Sequence, residues 1–148
     1  MLGRTHLLWG FFLSLVFITL FSFLNPFFIV VLSLFASLLP DIDEKKSFIG
    51  RYFRNISFFF SHRGVFHSVF AAVLFSCFVW FFSNFFFAGI FFSAYFFHLL
   101  FDSATKQGIK PFYFGRRISG FVKTGSFVEK IIFFCLIIIN IFLLLKII

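Results

Sequence analysis

The chain has 148 residues, of which 61% are hydrophobic, 26% aromatic and only 12% charged, with 34 phenylalanines and a formal net charge of +8. So few polar side chains cannot cover a soluble domain, which excludes a water-soluble enzyme or binding module and requires an integral membrane protein. The basic excess does not point to nucleic acid, because the Lys and Arg residues are interleaved with Phe, Ile and Tyr, as in interfacial loops that enforce topology or lie on anionic lipid.

Leu7 to Leu24 carries no charge and follows Arg4 and His6. No small-x-small cleavage pattern follows, so the run predicts a retained first span over about 6–24 rather than a secretory signal. The next run, 26–39, gives about 21 Å of helix against a hydrocarbon core of about 30 Å, so it is either a tilted second span or a helix that stops below the surface. Pro40 then stops the helix. Asp41 and Asp43 follow at i, i+2, and in an extended turn both carboxylates would face one side as a chelating pair for a divalent cation.

A first basic loop covers about 41–61. Beyond it, His62 and His67 are five apart and would point roughly 140° apart on one helix. Ser61 as the cap of a helix beginning near Gly64 would bring His62 from the entering loop and His67 from the first turns, so that the two converge. Arg63 between them suits an anionic phosphate oxygen. A third span over about 65–82 and a fourth over about 85–103 are joined at Ser83-Asn84. On the fourth, Ala94, His98 and Asp102 follow at i, i+4 and so share a face, with a nitrogen and an oxygen ligand one turn apart. A second basic loop over about 106–126 leads to a last span over about 128–147. Cys77 and Cys135 lie inside spans away from charge and read as small buried apolar residues. Ser33, Ala36 and Ser37, then Ser68, Ala72 and Ser76, then Gly89, Ser93 and Ala94 form small-residue stripes where helices can approach closely.

These elements predict one all-α domain, a polytopic bundle of about five transmembrane helices. The positive-inside rule puts the amino terminus and both basic loops in the cytoplasm and the carboxyl terminus outside. All four histidines and three of the five acids then gather at the cytoplasmic helix ends. Ionisable groups at membrane depth are costly, so the cluster reads as a metal site. Its candidate ligands are His6, Asp41, Asp43, His62, His67, His98 and Asp102. His62 as general acid, Arg63 as anion clamp, and Ser68 and Thr105 as groups that orient ligands complete it.

Nitrogen and oxygen ligands without sulfur suit zinc, manganese or iron, with zinc or manganese preferred. The set exceeds one tetrahedral ion, which leaves one ion with supporting residues or two adjacent ions, and the surplus leans to two. The corresponding chemistry is hydrolysis by metal-activated water of an ester or phosphoester in a lipid or lipid-linked substrate, with the bilayer and an anionic lipid-phosphate as partners. Two rivals remain. A divalent-ion transporter would need polar groups through both halves of the membrane, and the far half offers mainly Asn84 and Asn140. A non-catalytic scaffold stapled by a structural metal would need only four ligands.

Thr5-His6, Leu38-Leu39-Pro40-Asp41-Ile42-Asp43, His62-Arg63-Gly64 followed by His67-Ser68, and His98-x3-Asp102-x2-Thr105-x2-Gly108 resemble, in order and spacing, the motif set of the YdjM-like family of membrane-bound metal-dependent hydrolases. Pro111 and the 125–129 segment fit the same pattern, so the resemblance covers nearly the whole chain. It implies a multi-span bundle with a metal centre on the cytoplasmic side and hydrolase chemistry, and no particular substrate. The stretch between Asp43 and His62 is short and unusually aromatic for that pattern.

Overall fold

The polar residues that interrupt the apolar runs set where the helices begin. The structure is a computed structural model that describes residues 1–45, 47, 49–52, 63–112 and 115–147. Among these residues are five α-helices: α1 Gly3–Leu20, α2 Pro26–Leu38, α3 Val69–Phe82, α4 Phe85–Ser103 and α5 Phe127–Ile147. Asn25 caps α2 by accepting the Phe27 N–H at 2.9 Å, and Pro26 fits the first turn, where no N–H is needed. Asn84 caps α4 in the same way through the Phe87 N–H.

Two expectations about boundaries are corrected. Pro40 does not release the chain into an extended turn, because Leu39–Asp43 continues α2 as a 3-10 turn. Residues Pro26–Asp43 together are 18 residues long and apolar enough to cross a membrane, as are α1, α4 and α5. No α-helix begins near Gly64. Val65–His67 is a 3-10 turn, and α3 starts at Val69 because Ser68, in extended conformation, caps it by accepting the Ala71 N–H at 3.2 Å. The Val69 N–H goes instead to the Pro111 carbonyl at 2.7 Å. Ser61 lies outside the described residues. The short apolar helix is therefore α3, at 14 residues, below the length of the four helices that are long and apolar enough to cross.

Successive helices run in opposite directions, with α1 between α2 and α5, and α4 against α2 and α3. The core joins Leu13, Ala36, Ala72, Phe91, Ala94, Tyr95 and Leu99. At the α1–α2 crossing a Cβ on Gly10 would lie 2.4 Å from Ser37 Oγ, so only glycine permits this approach. Ser33, Ala36 and Ser37 and Ser68, Ala72 and Ser76 are buried as the stripes predict. On α4 the inward row is instead Ala88, Phe91, Ala94 and Tyr95, and Gly89 meets nothing. Cys77 and Cys135 are exposed rather than buried, on helix faces that the bundle leaves uncovered. Phe23, Phe27, Phe78, Phe81, Phe85, Phe134 and Phe142 are exposed as well, an outer surface that hydrocarbon can cover and water cannot. The molecule is an all-helical membrane bundle, with no strand among the described residues.

After α4 the chain folds back on itself. Ile109 and Ile118 exchange both backbone hydrogen bonds, and Gly108 turns at φ +59, where a Cβ would lie 2.2 Å from the Ile118 carbonyl oxygen. This return brings Gly108 and Thr105 beside the end of α4.

Candidate metal centre

The alternation of helix direction brings the start of α1, the end of α2, the entry to α3 and the end of α4 to one face of the bundle. His67 Nε2 lies 3.6 Å from Asp41 Oδ1 and 3.6 Å from Asp102 Oδ2, and His98 Nε2 lies 3.6 Å from Asp41 Oδ1. These separations are too long for hydrogen bonds and close to the spacing of tetrahedral ligands, about 3.4 Å apart when each is about 2.1 Å from an ion. One donor atom from each of Asp41, His67, His98 and Asp102 lies within 4.8 Å of the others, and all four residues are buried.

The tautomer of His98 supports the same reading. Its Nδ1 is 2.7 Å from the Ser37 carbonyl oxygen, which can only accept, so Nδ1 carries the proton and Nε2 presents a lone pair. That Nε2 is buried without a hydrogen-bond partner. A buried orphan of this kind is costly unless something else satisfies it. A divalent cation fits this nitrogen and oxygen set, which contains no sulfur.

Around the four stands a layer of supporting contacts. Asp43 Oδ2 accepts from His67 Nδ1 at 3.3 Å and from the Arg63 backbone N–H at 3.1 Å. This is the carboxylate–histidine arrangement that orients metal ligands. Arg63 adopts φ 60, a left-handed conformation that costs a non-glycine residue about 1 kcal/mol. Its guanidinium ties the cluster together, with NH2 2.7 Å from Asp102 Oδ2 and NH1 donating to the Gly108 carbonyl at 2.7 Å and to Thr105 Oγ1 at 3.2 Å. Thr105 in turn donates to the Asp102 carbonyl at 2.7 Å. Tyr95 Oη donates to the Phe66 carbonyl at 2.6 Å and so holds the turn that carries His67. Burial alone would lower the His67 pKa, but the carboxylates of Asp102, Asp41 and Asp43 outweigh it and hold it well above the ordinary histidine value.

The residues singled out from sequence therefore separate into groups. Asp41, His67, His98 and Asp102 converge. Asp43 stands behind His67. His6 stacks on His98 with ring centroids 3.7 Å apart, and its Nε2 is 3.2 Å from Asp102 Oδ1, where the Met1 amino group also pairs. Of the three remaining candidate ligands, Asp43 and His6 are thus turned towards His67 and Asp102. Arg63 and Thr105 brace Asp102. Ser68 is spent on capping α3, with its hydroxyl donating to the Val65 carbonyl at 2.6 Å. His62 lies outside the described residues.

One acid of consequence was not singled out. Glu129, in the first turn of α5, is 1% exposed and accepts the Leu2 N–H at 2.6 Å, the Thr5 hydroxyl at 3.1 Å and the Gly125 N–H at 2.6 Å. It anchors the first turn of α1, and with it His6, to α5. The signal available in sequence was an acid inside the last apolar run, next to Gly125.

A family model described as YdjM inner membrane protein matches residues 1–146. No curated protein and no solved structure matches the chain.

Proposed function

The chain belongs to the YdjM inner membrane protein family, and from that premise we propose that it is a membrane-bound, metal-dependent hydrolase acting on a phosphoester. The single observation that carries this reading is the buried convergence of His67, His98, Asp41 and Asp102, with His98 Nε2 lacking a partner. A divalent ion bound there, zinc or manganese, would supply Lewis acidity and a water made nucleophilic at neutral pH.

The protein's own residues have distinct parts. His67 and His98 present nitrogen lone pairs, with tautomers set by Asp43 and by the Ser37 carbonyl. Asp41 and Asp102 supply charge. Arg63 and Thr105 hold Asp102 against rotation, since both the carboxylate and the carbonyl of that residue are engaged. Asp41 also lines a cavity open to the loop face, so the cluster can be reached by a ligand. One ion is the reading adopted, because the donor atoms converge once among the described residues. By the charge of its loops this face is cytoplasmic.

A structural metal is the second reading, favoured by the completeness of the four-residue set. The deciding experiment purifies the protein in detergent micelles, counts its metal, and measures phosphate release from a soluble phosphomonoester, a phosphodiester and mixed lipids. The hydrolase reading expects bound metal, its loss in His98→Ala, and release that a chelator abolishes. Bound metal without release from any of these substrates gives the site to the structural reading.

A further inference from the structure

The backbone return that follows α4 has two sides, and only one of them is used by the bundle. On its inner side Ile109 and Val122 are buried, and the Gly108 carbonyl accepts from Arg63. The Val122 N–H goes to the Ala104 carbonyl at 3.1 Å, the Gly120 N–H to the Thr105 carbonyl at 3.0 Å, and the Pro111 carbonyl takes the first N–H of α3. These bonds fix the segment against the helix ends. The chain enters it from α4, which ends at Ser103, and leaves it for α5, which begins at Phe127, so it stays at the level where the apolar bundle meets its loops.

The outer side combines two kinds of residue. Lys106, Lys110, Arg116, Arg117 and Lys123 are all exposed, and so are Phe112 at 73%, Ile118 at 54% and Phe121 at 80%. The chain's own acids do not neutralise these cations. The sequence has no acid between Asp102 and Glu129, and four of its five acids, Asp41, Asp43, Asp102 and Glu129, are buried. The fifth, Glu44, lines the cavity beside Asp41, to which this return contributes only Gln107. Arg117 donates to the Gln107 carbonyl at 3.1 Å, a bond that orients the guanidinium and leaves its charge intact.

Charge alone would suit any polyanion, but the apolar side chains among the cations narrow the partner. Against RNA or an acidic protein the charges would be met and the rings left in water. At a bilayer boundary both are satisfied, because aromatic and branched carbon enters the acyl region while ammonium and guanidinium groups reach the phosphates. We propose that the outer side of the 104–123 return is a seat for anionic lipid, with Phe112, Ile118 and Phe121 among acyl chains and the five cations gathering phosphate head groups. The seat lies outside the metal cluster and goes beyond the hydrolase reading, on which it does not depend.

The test uses the full chain in nanodiscs of mixed phosphatidylcholine and phosphatidylglycerol. Phe121→Trp places a fluorescent reporter at an exposed position, and the Trp9 and Trp80 signal of the unsubstituted chain is subtracted. Bromine carried on the acyl chains of one lipid or the other quenches a ring that it touches. The expectation is quenching by brominated phosphatidylglycerol about threefold or more beyond its share of the bilayer. High salt should bring the excess down to that share, and so should Lys110→Gln, Arg116→Gln and Arg117→Gln combined. The salt arm needs no further substitution and so does not depend on how the neutralised chain folds. Quenching in proportion to bilayer share, or an excess that survives both salt and charge removal, overturns the inference. A reporter that neither lipid quenches but that a short RNA shifts gives the patch to nucleic acid and overturns it as well.

Discussion

Asp43 separates a ligand from a residue that orients one, and Asp43→Asn measures the difference. The wild-type carboxylate is 2% exposed and, among the described residues, faces His67 Nδ1 at 3.3 Å and the Arg63 backbone N–H at 3.1 Å. Asparagine keeps the size and one acceptor oxygen but loses the charge, and its amide nitrogen meets a donor on one side. His67 then retains its place with a poorly fixed ring and a less basic Nε2. Changes of this kind typically weaken metal affinity by about 10- to 100-fold, or about 1.4–2.7 kcal/mol, and leave stoichiometry intact at saturating metal. Competition against a chromophoric chelator, on protein in micelles, reads the affinity directly. His98→Ala, which deletes a converging nitrogen, is the reference for loss of a ligand. If Asp43→Asn loses the metal as completely as His98→Ala, Asp43 contacts the ion and the separation drawn above is wrong. Unchanged affinity would equally show that His67 is not oriented by it.

Three further outcomes are expected. Glu129→Gln places an amide nitrogen against N–H and O–H donors from Leu2, Thr5 and Gly125, and thermal unfolding in micelles should show a loss of about 1–3 kcal/mol, the cost of an unsatisfied buried group. Gly10→Ala drives a methyl group into Ser37, and a cost of about 1–3 kcal/mol for overpacking should appear in the same assay, together with weaker metal binding, because the Ser37 carbonyl holds His98. Equilibrium dialysis across pH should show metal affinity rising with pH. The surrounding carboxylates raise the His67 pKa above its unfolded value, so in the metal-free protein the proton is held more tightly and an entering ion must displace it. By the same sign, the stability that this proton gives the metal-free protein is present at low pH and lost as pH rises through the raised value. Affinity independent of pH would remove His67 from the ligand set.

How much of this was legible in the sequence depended on the range of the interaction. His98 and Asp102 are four apart on a long helix, so their shared face follows from helical periodicity, and both are buried where it places them. The membrane class follows from composition alone. The roles of Asp41 and Asp43 were not legible, because an i, i+2 pair converges in an extended turn and diverges in a 3-10 turn, and Pro40 permits either. His67 entered the cluster through a turn pinned by Tyr95 on Phe66 and by Pro111 on Val69, pairs 29 and 42 positions apart in the sequence. Glu129 escaped for the same reason, since two of its three donors lie on Leu2 and Thr5. The burial of Cys77 and Cys135 was misjudged because an apolar run shows no inside and outside when hydrocarbon can cover either face.

The distribution of polar groups also weighs against carriage of an ion through the bundle. A travelling cation needs oxygen or nitrogen donors at intervals across the apolar layer. Away from the cluster, most candidate donors already have work within the fold, with the buried Ser33 Oγ and Asn140 Oδ1 as the exceptions. The side-chain oxygens of Asn25 and Asn84 cap α2 and α4, and the Asn140 amide donates to the Leu8 carbonyl at 3.0 Å. Between them and the cluster lie Leu13, Ala36, Phe91 and Ala94, which offer no donor side chain, Tyr95, whose hydroxyl is committed to Phe66, and the isolated hydroxyls of Ser14, Ser33 and Ser76. An ion leaving His98 towards that half would exchange two imidazoles and two carboxylates for aromatic and aliphatic carbon, whereas the loop face presents Arg63, the start of α1 and an open cavity. This distribution supports the proposed function, in which an ion would stay at the cluster and meet a ligand from the loop face, over the carriage of an ion across the bundle.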